Sequence, residues 1–80
     1  MASYSVQIKP SAVKEIESLP KTDRRRVLTR VIALADQPRP PGCVKLSADE
    51  KYRIRQGRYR ILYSIEDRDL LVQVVKVAHR

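Results

Sequence analysis

The amino-acid sequence predicts an α+β fold in which two antiparallel helices pack on one face of a small, mainly antiparallel twisted sheet. Three observations support this class. Apolar residues recur at three- and four-residue spacing between residues 11 and 35, which is typical of amphipathic helices. They alternate with polar residues after residue 51, which is typical of strands. A segment rich in proline, residues 37–42, separates the two halves. The 80 residues are expected to form one domain, residues 1–80, in the order β-α-α-β-β-β.

The first strand and the first helix are predicted from the N-terminal residues. Tyr4, Val6 and Ile8 alternate with polar residues, as in a short strand with one buried face. Pro10 is expected to end this strand, and Ser11 to cap the helix that follows. The apolar stripe of that helix comprises Ala12, Val13, Ile16 and Leu19.

A second helix is predicted over about residues 21–35. Pro20 ends the first helix and suits the first turn of the next one. No helix breaker follows until residue 38, and a broad apolar face comprises Val27, Leu28, Val31, Ile32, Leu34 and Ala35. A tight turn at Pro20 makes the two helices antiparallel neighbours.

The C-terminal half predicts a β-meander. A short extended piece at residues 44–46 precedes strands at about residues 52–56, 59–66 and 70–78, with turns at residues 57–58 and 67–69. The last strand is almost entirely apolar, so it is predicted to be central, with both faces covered. Both helices are expected to pack on the sheet face that carries the tyrosine and isoleucine side chains.

Composition indicates an anionic partner. The chain has 17 Lys and Arg against 9 Asp and Glu, a formal net charge of +8. A membrane-surface protein usually carries its cations on a helix above Trp or Phe, and this chain contains neither. The N-terminus has no hydrophobic signal segment, and a cytoplasmic protein is expected. The single cysteine, Cys43, has no Cys or His at metal-ligand spacing and is predicted to pack in a loop.

Residues 51–63 contain five cationic residues and no carboxylate. Strict alternation sends Arg53, Arg55 and Arg60 to one face and the tyrosine and isoleucine residues to the other. Guanidinium groups bind phosphate through paired hydrogen bonds, so this face is predicted to bind phosphate. Arg39 and Lys45 are predicted to flank it. The alternative is a solvated charged face, which antiparallel sheets often have.

At these residues the sequence resembles the RelE-type toxins of the RelE/ParE superfamily, over essentially the whole chain. The motifs are residues 34–40, the Lys45-Leu46 pair, the Tyr-Arg-Ile-Arg and Tyr-Arg-Ile-Leu-Tyr block of residues 52–63, and the closing residues 77–80. The resemblance implies the toxin of a bacterial type II toxin-antitoxin system. Such a toxin cleaves messenger RNA on the ribosome, inhibits translation and arrests growth.

The resemblance also implies site residues and a reaction. The residues with an implied catalytic role are Arg53, Arg55, Arg60 and Arg80. Those expected to help hold the substrate are Lys45, Lys51 and Arg58. The ribose 2′-hydroxyl would attack the adjacent phosphorus and leave a cyclic phosphate and a free 5′-hydroxyl, with no metal and no cofactor. Arginine is a poor general base because its pKa exceeds about 12. His79 is therefore kept as a candidate acid or base, beside a structural role at the strand end.

The implied partners are a cognate antitoxin, the ribosome and messenger RNA, and no membrane. The toxin-antitoxin complex would bind its own operator DNA. Relatives continue past the His-Arg pair with a short tail whose Tyr stacks on or orients the substrate. This sequence ends at Arg80, so the 80-residue form is expected to lack that contact.

Two other function classes stay open at the level of sequence. The ParE branch shares the fold but poisons DNA gyrase, and its members generally lack the full set of sheet-face cations. A basic RNA- or protein-binding module without catalysis is the second alternative, favoured by Arg at positions where some relatives have Lys. The basic residues of the second helix, Arg24 to Arg26 and Arg30, are predicted to form a solvated face rather than to contact ribosomal RNA.

Overall fold

The computed structural model describes residues 3–47 and 50–79. Within them lie two helices and five strands: β1 (Ser5–Ile8), α1 (Pro10–Glu17), α2 (Lys21–Ala33), β2 (Val44–Ser47), β3 (Lys51–Gln56), β4 (Tyr59–Glu66) and β5 (Leu71–His79). The predicted α+β class is confirmed. The extended piece after the loop is a full strand, so the element order gains one strand and becomes β-α-α-β-β-β-β.

The five strands form one sheet in the order β1-β5-β4-β3-β2. The strands β2 to β5 pair antiparallel with their neighbours, as the predicted meander requires. The strand β1 pairs parallel with β5, and the helical pair carries the chain from β1 to β2 at the opposite edge of the sheet. A two-residue turn at Gly57 and Arg58 joins β3 to β4. Gly57 has φ +61°, a left-handed conformation that tight hairpin turns need and that glycine adopts without strain.

Both helices pack on one face of the sheet, as predicted. Their buried residues are Ala12 and Ile16 from α1, with Val27, Val31 and Leu34 from α2 and its C-terminal cap. The sheet contributes Tyr52, Ile54, Tyr59, Ile61, Tyr63, Ile65, Val72, Val74 and Val77. Burial of each valine, leucine or isoleucine side chain among them stabilises the fold by about 1.5 to 3 kcal/mol. This face is called the helix-covered face below, and the other is called the open face.

The helix ends differ from those predicted. The helix α1 begins at Pro10 with Lys9 as N-cap, so Pro10 does not end the strand and Ser11 is not the cap. Proline suits the first helical turn, where its missing N–H has no partner to lose. The helix α2 ends at Ala33, and Ile32 is 67% exposed, so its apolar face is narrower than predicted. No helix in the described residues is long and apolar enough to cross a membrane.

The strand β5 has the predicted interior position, between β1 and β4, but only one of its faces is fully buried. A register shift opposite Leu62 and Tyr63 interrupts its pairing with β4. Beyond Val74, no described residue of β1 pairs with β5. The helix α1 lies along this part of β5. The backbone N–H of Val77 donates to Glu15 Oε1 at 2.9 Å, which satisfies an edge donor that would otherwise be unpaired.

Candidate functional site

Three arginines meet on the open face because of the register between β3 and β4. Arg55 is directly opposite Arg60, and Arg53 is opposite Leu62. Directly opposite residues of an antiparallel pair lie on the same face, so the predicted grouping of Arg53, Arg55 and Arg60 is present. These three residues are called the arginine face below. Lys51 shares this side of β3 by alternation and is exposed.

The arginine face has no carboxylate to neutralise it. Among the described residues, no Asp or Glu forms an ion pair with Arg53, Arg55 or Arg60. Arg60 Nε is buried and has no hydrogen-bond partner in the described structure. Like charges directly opposite each other destabilise a sheet, and a buried donor without a partner costs about 1 to 3 kcal/mol. An anionic ligand on the open face would relieve the repulsion between the like charges.

The side chain opposite Arg60 on β5 is the methyl group of Ala78. Leu62 is the neighbour of Arg60 two residues along the same strand, and Ser64 lies beyond it. These side chains are short or apolar, and none is a hydrogen-bond partner of the guanidinium groups in the described residues. The arrangement can hold a phosphate and stabilise negative charge that develops on its oxygens.

His79 does not join the arginine face. Its partner in the register is Tyr59, whereas Ala78 is the partner of Arg60. His79 therefore lies on the side of Tyr59, where the two rings meet edge to face with centroids 5.3 Å apart. The expectation that His79 acts as acid or base beside the arginines disagrees with this placement, because successive residues of a strand point to opposite faces. Arg80 lies outside the described residues, and its catalytic role stays a prediction.

Lys45 also lies away from the arginine face. It is in register with Tyr52, a residue of the helix-covered face. Its Nζ atom is 3.2 Å from Glu50 Oε1. The prediction that Lys45 flanks the open face is therefore wrong. Alternation decides its side once the pairing of β2 with β3 is known, and the loop sequence alone does not give that pairing.

Arg39 occupies the centre of a polar cluster on the same side as Lys45. Its guanidinium group contacts Asp67 at 2.9 Å, Glu50 at 3.2 Å and the hydroxyl of Tyr52 at 3.0 Å. The hydroxyl of Tyr4 donates to Asp67 at 2.6 Å. The prediction that Arg39 flanks the open face is wrong, because these carboxylates hold it at the opposite side. The set Tyr4, Arg39, Lys45, Glu50, Tyr52 and Asp67 is called the Arg39 cluster below.

Hydrogen bonds within the Arg39 cluster shift several pKa values. The bonds from Arg39 and then Tyr4 hold the pKa of Asp67 below its ordinary value. The bonds from Tyr52, Lys45 and Arg39 do the same for the pKa of Glu50. Sequence reasoning missed this cluster, because Arg39 and Asp67 lie in two irregular segments 28 residues apart and no periodicity relates them.

Arg58 lies at the tip of the β3–β4 hairpin, next to a cavity of about 430 Å³ between that turn and the first turns of α2. The residues that line it are Asp23, Arg26, Gln56, Gly57, Arg58 and Tyr59. The hydroxyl of Tyr59 donates to Asp23 Oδ2 at 2.8 Å, which raises the pKa of Tyr59. Arg58 is close in sequence to Arg60 of the arginine face, and its role in holding substrate stays a prediction.

The described residues contain no cluster of side chains that could bind a metal ion, and their single cysteine packs in a loop. No group of three or more His, Cys, Asp or Glu side chains there is placed to hold a metal ion. Cys43 is free, half-buried and packed against the core, which agrees with its predicted packing role in the loop.

The sequence matches a known family over most of its length. The family model of the ParE toxin of the type II toxin-antitoxin system, parDE, matches residues 6–80. No curated protein matches the chain significantly.

Solved structures share the fold. A chain of the archaeal RelE–RelB complex from Pyrococcus horikoshii OT3 is 32% identical, with a TM-score of 0.86, and the match covers 98% of this chain and 96% of that one. A chain of the toxin-antitoxin complex RelBE2 from Mycobacterium tuberculosis is 26% identical, with a TM-score of 0.87 and coverage of 100% and 94%. The isolated RelE toxin of E. coli is 23% identical, with a TM-score of 0.84 and coverage of 96% and 84%.

Proposed function

This chain belongs to the RelE/ParE superfamily of toxins of type II toxin-antitoxin systems, and we propose that it is an endoribonuclease that cleaves messenger RNA on the ribosome. Its action would inhibit translation in the cytoplasm. The observation that carries the proposal is the arginine face, where three guanidinium groups meet and, among the described residues, no carboxylate pairs with them and the buried Nε of Arg60 has no partner. Two solved relatives come from complexes of RelE-type toxins with their antitoxins.

The proposed reaction is an internal transfer at phosphorus. A new bond forms between the ribose 2′-oxygen and the phosphorus, and the bond from phosphorus to the 5′-oxygen of the next nucleotide breaks. The proton of the 2′-hydroxyl leaves, and a proton is delivered to the departing 5′-oxygen. The products are a 2′,3′-cyclic phosphate and a free 5′-hydroxyl, with no net oxidation or reduction.

The arginine face would stabilise negative charge in the transition state and would not transfer protons. Negative charge grows on the non-bridging oxygens and on the departing oxygen as the transition state forms. Guanidinium groups fixed in advance on a rigid sheet stabilise that charge without reorganisation. They would also hold the attacking oxygen, the phosphorus and the departing oxygen in line, which lowers the entropic part of the barrier.

A cognate antitoxin is the proposed protein partner. The Pyrococcus and Mycobacterium structures are complexes of RelE-type toxins with antitoxins. An antitoxin for this chain would place carboxylates on the arginine face, where the described residues supply none. Such carboxylates would compete with RNA phosphate for the same guanidinium groups.

Cleavage of messenger RNA on programmed ribosomes tests the proposal. The wild type is compared with Arg60→Ala and with the control Arg68→Ala, which removes an exposed arginine in the turn after β4. Loss of one such donor is expected to slow cleavage by about two to three orders of magnitude, whereas Arg68→Ala cuts at the wild-type rate. Fragments should carry a cyclic phosphate. Equal rates for Arg60→Ala and the wild type would reject the arginine face as the catalytic surface.

Inhibition of DNA gyrase is the second candidate, since the matching family model is that of the ParE toxin. A supercoiling assay with purified gyrase separates the two. Inhibition of supercoiling together with intact messenger on ribosomes would favour gyrase. Uninhibited supercoiling together with messenger cleavage is the result that the arginine face leads us to expect.

A further inference from the structure

Two arginines line the cavity at the tip of the β3–β4 hairpin. Its volume of about 430 Å³ lies within the range of small-molecule sites, roughly 300 to 1,000 Å³. Arg26 from α2 and Arg58 from the turn both line it and are exposed. Neither forms an ion pair with any described residue. Two guanidinium groups without a carboxylate partner fit a phosphate group.

The carboxylate of Asp23 sets a second requirement on the ligand. Asp23 lines the same cavity, and its Oδ2 accepts a hydrogen bond from the hydroxyl of Tyr59 at 2.8 Å. A carboxylate offers about four acceptor positions, so it can accept further N–H or O–H donors. An ion that carries only negative charge would be repelled by it. The preferred ligand therefore combines an anion with hydrogen-bond donors, as a nucleotide does with its phosphate and its base or ribose.

The residues that line the cavity are close in sequence to the arginine face, but the cavity lies on the opposite side of the sheet. Gln56 and Tyr59 line the cavity, and each is the direct chain neighbour of one member of the Arg55 and Arg60 pair. Successive residues point to opposite faces, so the two sites share the hairpin end from its two sides. An RNA strand that passes over the turn at Gly57 can reach both.

We propose that the cavity binds one nucleotide of the RNA strand that is cleaved, close to the scissile phosphate. Arg26 and Arg58 hold its phosphate, and Asp23 accepts hydrogen bonds from donors of its base or ribose. The inference rests on the proposed nuclease function and adds a subsite to it. The subsite extends the contact of the substrate beyond the arginine face and orients the strand across the hairpin.

Nuclear magnetic resonance titration of the 80-residue chain with guanosine 5′-monophosphate tests the subsite, with inorganic phosphate as the probe that lacks donors. The nucleotide is expected to shift the backbone amides of Gly57, Arg58 and Asp23 at a concentration about tenfold or more below that of phosphate, since bonds to charged groups are strong. Equal affinities for the two probes, or shifts confined to residues of the arginine face, would overturn the proposal.

Three variants identify the contacts. Arg58→Ala and Arg26→Ala are each expected to weaken binding of the nucleotide by about tenfold, because each removes a charged donor. Asp23→Asn keeps an oxygen that can accept from Tyr59, and is expected to abolish the preference for the nucleotide over phosphate. The control is Arg25→Ala, an exposed residue of the same helix that does not line the cavity. Binding that is unchanged in all three variants would reject the cavity as the site.

The Arg60→Ala variant separates this inference from the proposed function. The titration with a free nucleotide needs neither ribosomes nor cleavage, and Arg60 does not line the cavity. Nucleotide binding retained in Arg60→Ala supports a separate subsite, and binding lost there assigns the signal to the arginine face. Ribosomal cleavage that proceeds without nucleotide binding would reject the subsite and leave the nuclease function standing.

Discussion

The two faces of the sheet treat their cations in opposite ways. On the helix-covered side, Arg39 and Lys45 lie within 3.2 Å of carboxylate oxygens. On the open face, Arg55 lies directly opposite Arg60, and no described carboxylate forms an ion pair with either. Paired cations hold a loop against the sheet, whereas unpaired cations raise the energy of the free protein. This difference favours a structural role for the cations of the first side, and it is the basis for proposing ligand binding at the second.

The difference also shows why alternation alone gives an incomplete account of charge. Both groups of cations carry the same kind of charge. Only the carboxylates that come close to them in the fold decide which group is neutralised. Glu50 and Asp67 reach Arg39 from two different turns, and neither reaches the arginine face.

The largest expected effect is a loss of stability on truncation of a buried residue of β4, and its chain neighbour on the open face serves as the comparison. Ile61 is fully buried, whereas Leu62 is half-buried on the open face. Ile61→Ala is expected to lower the free energy of unfolding by about 2 to 5 kcal/mol, through lost burial and a residual cavity. Leu62→Ala should lower it clearly less. Unfolding in urea measures both, and equal losses would contradict the division into a covered and an open face.

A smaller loss of stability is expected from Arg39→Ala. The variant breaks the contacts to Asp67, Glu50 and Tyr52, but the side chain is 41% exposed, so solvent screening limits the loss to about 1 kcal/mol. Ribosomal cleavage should be unchanged in the folded variant. A variant of full stability that fails to cleave would move Arg39 from the structural group to the substrate contacts.

Substitution of an arginine on the arginine face is expected to stabilise the protein, whereas the substitutions above destabilise it. Arg55→Gln removes one of two like charges that lie directly opposite each other, so the free energy of unfolding is expected to rise by up to about 0.5 kcal/mol at low salt. The gain should shrink as salt screens the repulsion. Cleavage should fall in the same variant. A loss of stability in Arg55→Gln would show that the guanidinium pair is not under repulsion.

The smallest expected effect is on the stability of the protein at low pH. The pKa values of Glu50 and Asp67 are lower in the folded chain than their ordinary values. A carboxylate with a lowered folded pKa stabilises the fold above its ordinary pKa, and this contribution is lost as the pH falls through the lowered value. Stability is therefore expected to decline below about pH 4. Thermal unfolding from pH 6 to pH 2 should show a shallower decline for Glu50→Gln, and parallel curves would contradict the assignment.

Several elements were predictable because their signals are local. The alternation of Tyr59, Ile61 and Tyr63 with arginine and other residues gives the two faces of β4. The apolar stripes gave two helices, and proline gave their approximate ends. Local patterns did not predict which side chains are buried where pairing with a neighbouring strand determines it. The strand β5 buries both Val74 and Val77, and the bulge that changes its phase depends on its pairing with β4.

The sequence by itself determined the helical pair, the antiparallel meander and the side of the sheet on which Arg53, Arg55 and Arg60 lie. These properties depend on the period of each element, which neighbouring residues fix. Tertiary structure alone decided that His79 and Lys45 lie away from the arginine face and that Arg39 is neutralised by Asp67. It also decided that Asp23 and Arg58 share a cavity. Contacts between residues far apart in sequence depend on register and on loop paths, and no local period encodes them.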